Sequence, residues 1–392
     1  MNKYLESVNK CLNWAETQML SYNRGSVGIY ERIRINLNRR VNWTRPDCNA
    51  EIARVYVKLG KSDYDVCRNV LNWLLSVQDN EPLSCWYGSF PFYLNDGEIT
   101  VQYGQTRYQN DNGKIMIALL DMYEITKDER LKDAALKLAS FWMKIQRDGG
   151  WFVQIDGKTQ SRNYKGPCFI FWLAAGLAMC YDLTGEEQYR IAVRKAMNFA
   201  LSLQTETGRF KTSYELMKCE DWRPASSESS LALFCIARIL KYIPDHEYRA
   251  AFDKVSEYLF SIQHESGGIL NSREDETCTS LLDDYMRCDM VYTEGFAIQG
   301  FVEAYKLTKD RKYKDAAIRL ADFLVSVQCE NENPLWDGAW RGAYSLRSNR
   351  WEGRANQNNN IDEGGMYSVY TGWSCSNIMD GLIEVEKIAE EQ

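Results

Sequence analysis

The sequence predicts an all-α protein, a closed ring of six helical hairpins: an (α/α)6 toroid formed by residues 1–392 as a single domain. Three observations predict it. A helix-then-glutamine pattern recurs six times, a second and more apolar helix type alternates with it, and no proline-rich or low-complexity linker divides the chain. Fixed-period self-similarity of this kind is the mark of repeat architectures.

The first helix type begins at the N-terminus, where Leu5, Val8, Leu12 and Ala15 fall on one face of a helical period. The segment ends in NWAETQMLSYNRGSVGIYE. Its later copies end in NWLLSVQDNEPLSCWYGSF, FWMKIQRDGGWFVQ, FALSLQTETGRFKTS, YLFSIQHESGGILNS and FLVSVQCENENPLWDGAW. The glutamines are Gln18, Gln78, Gln146, Gln204, Gln263 and Gln328, spaced 58 to 68 residues apart. That interval holds two helices and two loops. Each glutamine is followed by a Gly- or aromatic-containing turn.

The second helix type reads DCNAEIARVYVKLGK, NDNGKIMIALLDMYEITKD, GPCFIFWLAAGLAMCYDLTGE, SESSLALFCIARILKYI, EGFAIQGFVEAYKLTKD and YTGWSCSNIMDGLIEVEK. It is richer in apolar and small residues, and helices apolar nearly all round are buried. This set is therefore the inner ring and the glutamine-ending set the outer one. Turns such as ITKDER, LTGEEQ and LTKDRK join them compactly. The first outer helix and the last inner helix come from opposite ends of the chain, so those ends should pair and close the ring.

Composition narrows function. Charged residues are 26% and the formal net charge is -7, which offers no basic footprint for nucleic acid. The N-terminus lacks the charged-then-apolar layout of a secretion signal, and no apolar run is long enough to span a bilayer, so the expected location is cytoplasmic. Most of the 12 cysteines sit in apolar helical patterns and should be reduced and buried. With no C-x-x-C and only His246 and His264, a Cys/His metal site is not expected, and no cofactor is called for.

The Gln-then-Gly turn resembles the repeat of α/α-toroids. These include terpene cyclases, prenyltransferases, polysaccharide lyases, uronate epimerases and six-hairpin glycosidases. The segment Asn110-Asp111-Asn112-Gly113-Lys114 is similar to inner-helix openings of the six-hairpin glycosidases. Family 76 mannanases carry two adjacent catalytic aspartates at such a place, and here the first position is Asn110. Unsaturated-uronyl hydrolases also carry an acid there, but their histidine has no counterpart, since His246 and His264 fall in or beside outer helices. The resemblance implies a six-hairpin glycosidase-like toroid without fixing a family.

In such a ring the inner-helix openings converge on one mouth of a central cavity, a concave place for a ligand. Acids there serve as helix caps or as chemistry. Their companions favour chemistry. Asp47 follows Trp43 and Arg45, Asp111 follows Tyr108, Glu228 follows Trp222 and Arg223, and Glu294 follows Tyr292. Tyr164 opens the third inner helix, and Tyr370 and Trp373 the sixth. Glycoside hydrolysis needs two carboxyl groups with pKa values pushed apart. Asp111 is the first choice, with Glu294, Glu228 or Asp47 as partner. Two long aromatic connections contribute Trp86, and then Trp336 and Trp340, as expected binding walls. Arg341, with Arg347, Arg350 and Arg354, would suit an acidic sugar.

The expected function is a glycoside hydrolase acting on an oligosaccharide, with uronic acids among its candidate sugars. The alternatives are a polysaccharide lyase or uronate epimerase using a Tyr or Lys base such as Tyr164, Lys165, Tyr292 or Tyr370, a terpenoid cyclase-like enzyme, and a non-enzymatic glycan-binding toroid. The Asp283-Asp284…Asp289 run superficially resembles a diphosphate-binding motif but reads as a polar loop.

Overall fold

The structure is a computed structural model that describes residues 2–23, 26–92, 94–95, 106–150, 152, 154–155, 162–163, 170–212, 226–276, 284–353 and 365–391. Twelve α-helices lie among them. The outer layer is α1 (Lys3–Gln18), α3 (Asp65–Ser76), α5 (Glu129–Ile145), α7 (Glu187–Leu201), α9 (His246–Ser261) and α11 (Arg311–Ser326). The inner layer is α2 (Pro46–Lys58), α4 (Gln109–Thr126), α6 (Ile170–Thr184), α8 (Ser226–Tyr242), α10 (Glu294–Thr308) and α12 (Asn377–Ala389). Each inner helix packs on the next, and α12 returns to α2, so the ring is closed. Helix α1 packs on α12, and the last hairpin is made from both ends of the chain as expected.

Burial separates the layers. Every residue from Pro46 to Val57 in α2 and from Gln109 to Met122 in α4 is buried. The outer helices are amphipathic, and in α5 only the face carrying Leu131, Ala134, Ala135, Leu138, Ala139, Phe141 and Trp142 is covered.

The repeated glutamine has a structural purpose. Its Nε2 donates to the carbonyl of the turn glycine and to a carbonyl on the next outer helix. Gln78 bonds Gly88 and Ala134, Gln146 bonds Gly150 and Ala192, and Gln204 bonds Gly208 and Ala251. Gln263 bonds Gly267 and Ala316, and Gln328 bonds Gly338 and Ser7, which carries the series across the chain ends. All five glycines have φ between 87° and 101°. A Cβ on any of them would lie 1.9 to 2.8 Å from a carbonyl oxygen of the neighbouring outer helix. Only glycine meets both demands.

The first copy departs from this pattern. Gln18 is followed not by a glycine turn but by a sheet: β1 (Leu20–Asn23), β2 (Ser26–Arg34) and β3 (Arg39–Thr44), extended by β4 (Leu94–Asn95) and by β10 (Ser368–Tyr370) against β2. The alternating β-branched and aromatic residues of SVGIYERIR favour a strand that packs on both faces. This sheet fills the gap between α1 and α3, with Gly28 backing onto Trp73 of α3.

Four inner-helix side chains tie the mouth together. Two residues after the turn glycines Gly88, Gly208 and Gly267 lies a buried apolar residue whose backbone N–H reaches an inner helix. Phe90 donates to Asn112 Oδ1 (3.0 Å), Phe210 to Ser229 Oγ (3.0 Å) and Ile269 to the Glu294 carboxylate (3.1 and 3.2 Å). In the sheet-bearing first unit, Ile29 does the same to Asn49 Oδ1 at 2.8 Å. These bonds set a common register for the inner-helix openings.

A buried ionic network fills the opposite mouth. Arg54 and Lys58 of α2 meet Asp121 of α4 and Asp380 and Glu384 of α12, while Arg238 of α8 meets Asp121 and Glu303. Lys306 joins Glu303 to Glu384. Burial alone would raise these acids. The Arg54 and Lys58 charges hold Asp380 down at about 2. The nine described cysteines are free thiols, eight of them buried and Cys85 exposed. No helix among the described residues is long and apolar enough to cross a membrane.

Candidate active site

Arg45 is the hub of the mouth. It is the N-cap of α2, in extended backbone just before Pro46 fixes the first helical turn. Its guanidinium makes a forked pair with Asp47 (Nε–Oδ1 3.0 Å, Nη2–Oδ2 2.8 Å). It also reaches Glu31 of β2 at 2.8 Å and Asp111 of α4 at 2.8 Å. Phe92 stacks on it at 4.6 Å, and Tyr108 meets Phe92 edge-on at 4.6 Å. One buried cation thus gathers three buried carboxyl groups, an arrangement that suits the planar fork of arginine.

Asp111 differs from its neighbours in this set. Its Oδ1 takes both the Arg45 contact and a bond from Asn110 Nδ2 (2.8 Å), while Oδ2 has no hydrogen-bond partner among the described residues. Burial pushes its pKa well above the carboxylate range. The Arg45 charge opposes that shift and nearby Asp47 adds to it. Desolvation of this kind favours the protonated form of a carboxyl group.

Aromatic rings form the floor. Trp373 lies in a wide π-type turn, Thr371–Ser376, that opens α12, and its Nε1 donates to Asp47 Oδ2 at 2.7 Å. Tyr292 and Phe296 stand at 5.6 and 6.0 Å from Trp373, and Trp172 of α6 at 5.3 Å from Phe296. Lys114 of α4 crosses the ring to sit 3.6 Å from the Trp373 ring centre and pairs with Glu51 of α2 at 2.8 Å. Burial lifts Glu51 to about 7 against the pull of Lys114 and Arg54.

The structure therefore brings Asp47, Asp111, Arg45, Tyr108, Tyr292 and Trp373 to one place. Glu228 is buried in the first turn of α8, and it immediately precedes Ser229 as Asp111 immediately precedes Asn112. The two acids hold the same repeat position on different inner helices. Glu294 lies one position further along, where Asn112 and Ser229 make their ties. Its carboxylate holds the Ile269 N–H and the Cys288 thiol, and burial raises its pKa. Tyr370 takes a 2.5 Å bond from Arg32 Nη1, and Trp43 lies under the same guanidinium at 5.7 Å.

Other expected wall residues lie elsewhere. Trp86 packs on Phe141 of the outer helix α5. Trp340 is fully buried, with Nε1 bonded to the Leu324 carbonyl, and Trp336 Nε1 bonds Glu332. Arg341 is taken up by Glu332 and the Met366 carbonyl, Arg347 by Asp284 and Arg350 by Glu352. Tyr164, Lys165, Trp222, Arg223 and Arg354 lie outside the described residues. His246 and His264 both sit on the outer layer. Among the described residues of this mouth, carboxyl, lysine and tyrosine side chains are the groups that could carry acid–base chemistry. Glu31, Glu51 and Lys114 were not expected. The strand pattern of SVGIYERIR and the i, i+4 spacing of Asp47 and Glu51 are the signals that point to the two acids.

The fold is that of an (α/α)6 toroid, and solved structures of similar fold are found among carbohydrate-processing proteins. Cellobiose 2-epimerase from Bacillus thermoamylovorans B4167 is similar over 98% of this chain and 100% of its own, with a TM-score of 0.69 and 13% identity. A GH76 α-mannanase from Bacteroides thetaiotaomicron is similar over 100% and 98%, with a TM-score of 0.68 and 12% identity. A polysaccharide lyase is similar over 99% and 98%, with a TM-score of 0.60 and 12% identity. No protein-family profile and no curated protein sequence matches the chain.

Proposed function

We propose that this protein is a carbohydrate-active enzyme, a glycoside hydrolase that protonates the leaving oxygen of an oligosaccharide from Asp111. One observation carries the reading. Asp111 is a buried carboxyl with a raised pKa, anchored through one oxygen by Arg45 and Asn110 and with the other oxygen left unbonded. A general acid needs its proton near neutrality and a fixed orientation. Glu228, at the same repeat position on α8, is the second carboxyl. Trp373 and Tyr292 form an aromatic floor next to Asp47 and Lys114. The likeness to carbohydrate-processing toroids supports the substrate class, and the outer-layer position of both histidines supports a carboxyl-based reaction.

The test is a panel of saturated and unsaturated oligosaccharides, followed for new reducing ends and for absorbance of a new enol ether. Reducing ends without unsaturation, lost in Asp111→Asn, is the expected result. Full turnover by Asp111→Asn removes the assignment.

Glu51 favours a second reading. With a pKa of about 7 and Lys114 at 2.8 Å, it is suited to take a proton next to a carbonyl or carboxylate, as an epimerase or lyase requires. Enol-ether absorbance, or epimerised product without cleavage, would select it.

A further inference from the structure

One helical turn below the hub, two buried charges meet between α2 and α4. Lys114 and Glu51 stand 2.8 Å apart, with side chains 0% and 2% exposed, so water does little to screen them from their neighbours. Lys114 follows Asp111 by three positions on α4, and Glu51 follows Asp47 by four on α2. Those spacings put each pair on one side of its helix.

A closed path of contacts joins the pair to Asp111. The Lys114 ammonium lies 3.6 Å from the Trp373 ring centre and 5.9 Å from those of Trp172 and Phe296. Trp373 Nε1 donates to Asp47 at 2.7 Å, Asp47 takes the Arg45 fork, and Arg45 reaches Asp111 at 2.8 Å. The path leaves α4 at Lys114, passes the π-type turn and α2, and returns to α4 at Asp111. Each member is therefore held at a set distance from the next.

The charges along this path act on one another. Those facing Asp111 among the described residues are Arg45 and Asp47 of α2, Glu31 of β2 and Lys114. Those facing Glu51 are Lys114, Arg54 and Asp47. Trp172, Phe296 and Trp373 contribute uncharged rings. The Lys114 cation favours the ionised form of Asp111, and an ionised Glu51 offsets that cation. Burial brings Glu51 to about 7, so the offset is gained as pH rises through neutrality.

The geometry points to Lys114 and Glu51 as positioning residues that govern the proton on Asp111: Lys114 draws it off, and Glu51 screens Lys114. The inference rests on the reading of Asp111 as the proton donor of the mouth. Its consequence is that ionisation of Glu51 lets Asp111 keep its proton to higher pH than it would beside Lys114 alone.

Infrared spectra of the full chain carrying 13C-labelled aspartate, taken over a pH series, read that proton without any need for turnover. The Asp111 band is assigned by its loss in Asp111→Asn. Glu51→Gln leaves the cation unscreened and should give a midpoint below that of the parent. The double variant Glu51→Gln/Lys114→Met removes both partners and leaves neither charge orphaned, which preserves the fold. Its midpoint should be the highest of the three and about one pH unit above that of Glu51→Gln, the lower end of the effect of an opposite charge near a carboxyl group. A merely structural role would not order the midpoints in this way. If the midpoints follow this order and the parent turns over no glycan, the hydrolase reading fails while the control of Asp111 stands. Equal midpoints in the two variants, a Glu51→Gln midpoint above that of the parent, or an Asp111 band that titrates in none of the three would overturn the assignment.

Discussion

Replacing Arg45 with methionine tests the hub directly. The side-chain volume is nearly kept, but four charge-assisted contacts disappear: two to Asp47 and one each to Glu31 and Asp111, all between 2.8 and 3.0 Å. The three acids are at most 1% exposed. Leaving a buried charge without its partner costs about 3–5 kcal/mol. Asp47 keeps its bond from Trp373 and Asp111 its bond from Asn110, which argues for the middle of that range, about 4 kcal/mol at pH 8. The loss should shrink in acid. Without the guanidinium the Asp111 pKa, already raised by burial, rises further above its unfolded value, so the folded variant binds an extra proton. Stability from such groups is present at low pH and is lost as pH rises through the folded pKa. Each proton retained is worth about 1.4 kcal/mol per pH unit. Between pH 8 and pH 5, retention of one proton restores most of the difference. Urea unfolding of parent and variant, followed by circular dichroism at both pH values, gives the comparison. A deficit below about 1 kcal/mol at pH 8, or one equal at the two pH values, would refute the hub argument.

Three further outcomes are expected. Glu228→Gln should lower turnover by about 10²–10⁴, the usual weight of a general acid or base, whereas Glu294→Gln should keep turnover because its amide oxygen still accepts from Ile269; the two kcat values, measured side by side, decide which acid acts. Gln263→Leu should cost about 2–3 kcal/mol, from two lost bonds of about 1 kcal/mol each and two carbonyls left short of a donor, read as the shift in urea midpoint. Asp380→Asn should flatten the acid limb of the stability curve. Its depressed pKa contributes stability that is full above about pH 4 and lost as pH falls toward about 2, and a curve identical to the parent below pH 4 would contradict the network.

The ring was legible because its signal is redundant. Five glutamines and five glycines answer the same steric and hydrogen-bonding demand, and each copy reinforces the reading of the others. Asp111, Arg45, Asp47 and Trp373 were legible as helix-opening residues, since a closed ring sends all such openings to one mouth. Glu31 was hidden because the first copy was read as a glutamine-glycine turn, and short strands carry too few periods to stand out beside long helices. Glu294 shares the chemistry of Asp111 and is separated from it by a one-residue offset along the inner helix. Only the backbone bond from Ile269 distinguishes an acid that holds the scaffold from one that faces the mouth. Arg341, Arg347 and Arg350 read as available cations because a loop sequence does not disclose its ion pairs, and Asp284 is 63 residues from its partner.

The pairing of the chain ends has a consequence for biosynthesis. Helix α1 exposes the apolar face of Val8, Cys11, Leu12 and Ala15 until α12 arrives to cover it, roughly 360 residues later. At about 5–20 residues per second of synthesis, that is a wait of about 20–70 s. Through this interval the nascent chain is an open arc with two unsatisfied edges, one on α1 and one on the most recently formed hairpin. Either edge can dock onto a neighbouring nascent chain before its own partner has been made. A permuted gene that starts at α3 and places α1 directly after α12 would turn the long wait into one short hairpin, and its yield of monomeric ring would measure how much material the native order diverts into swapped assemblies.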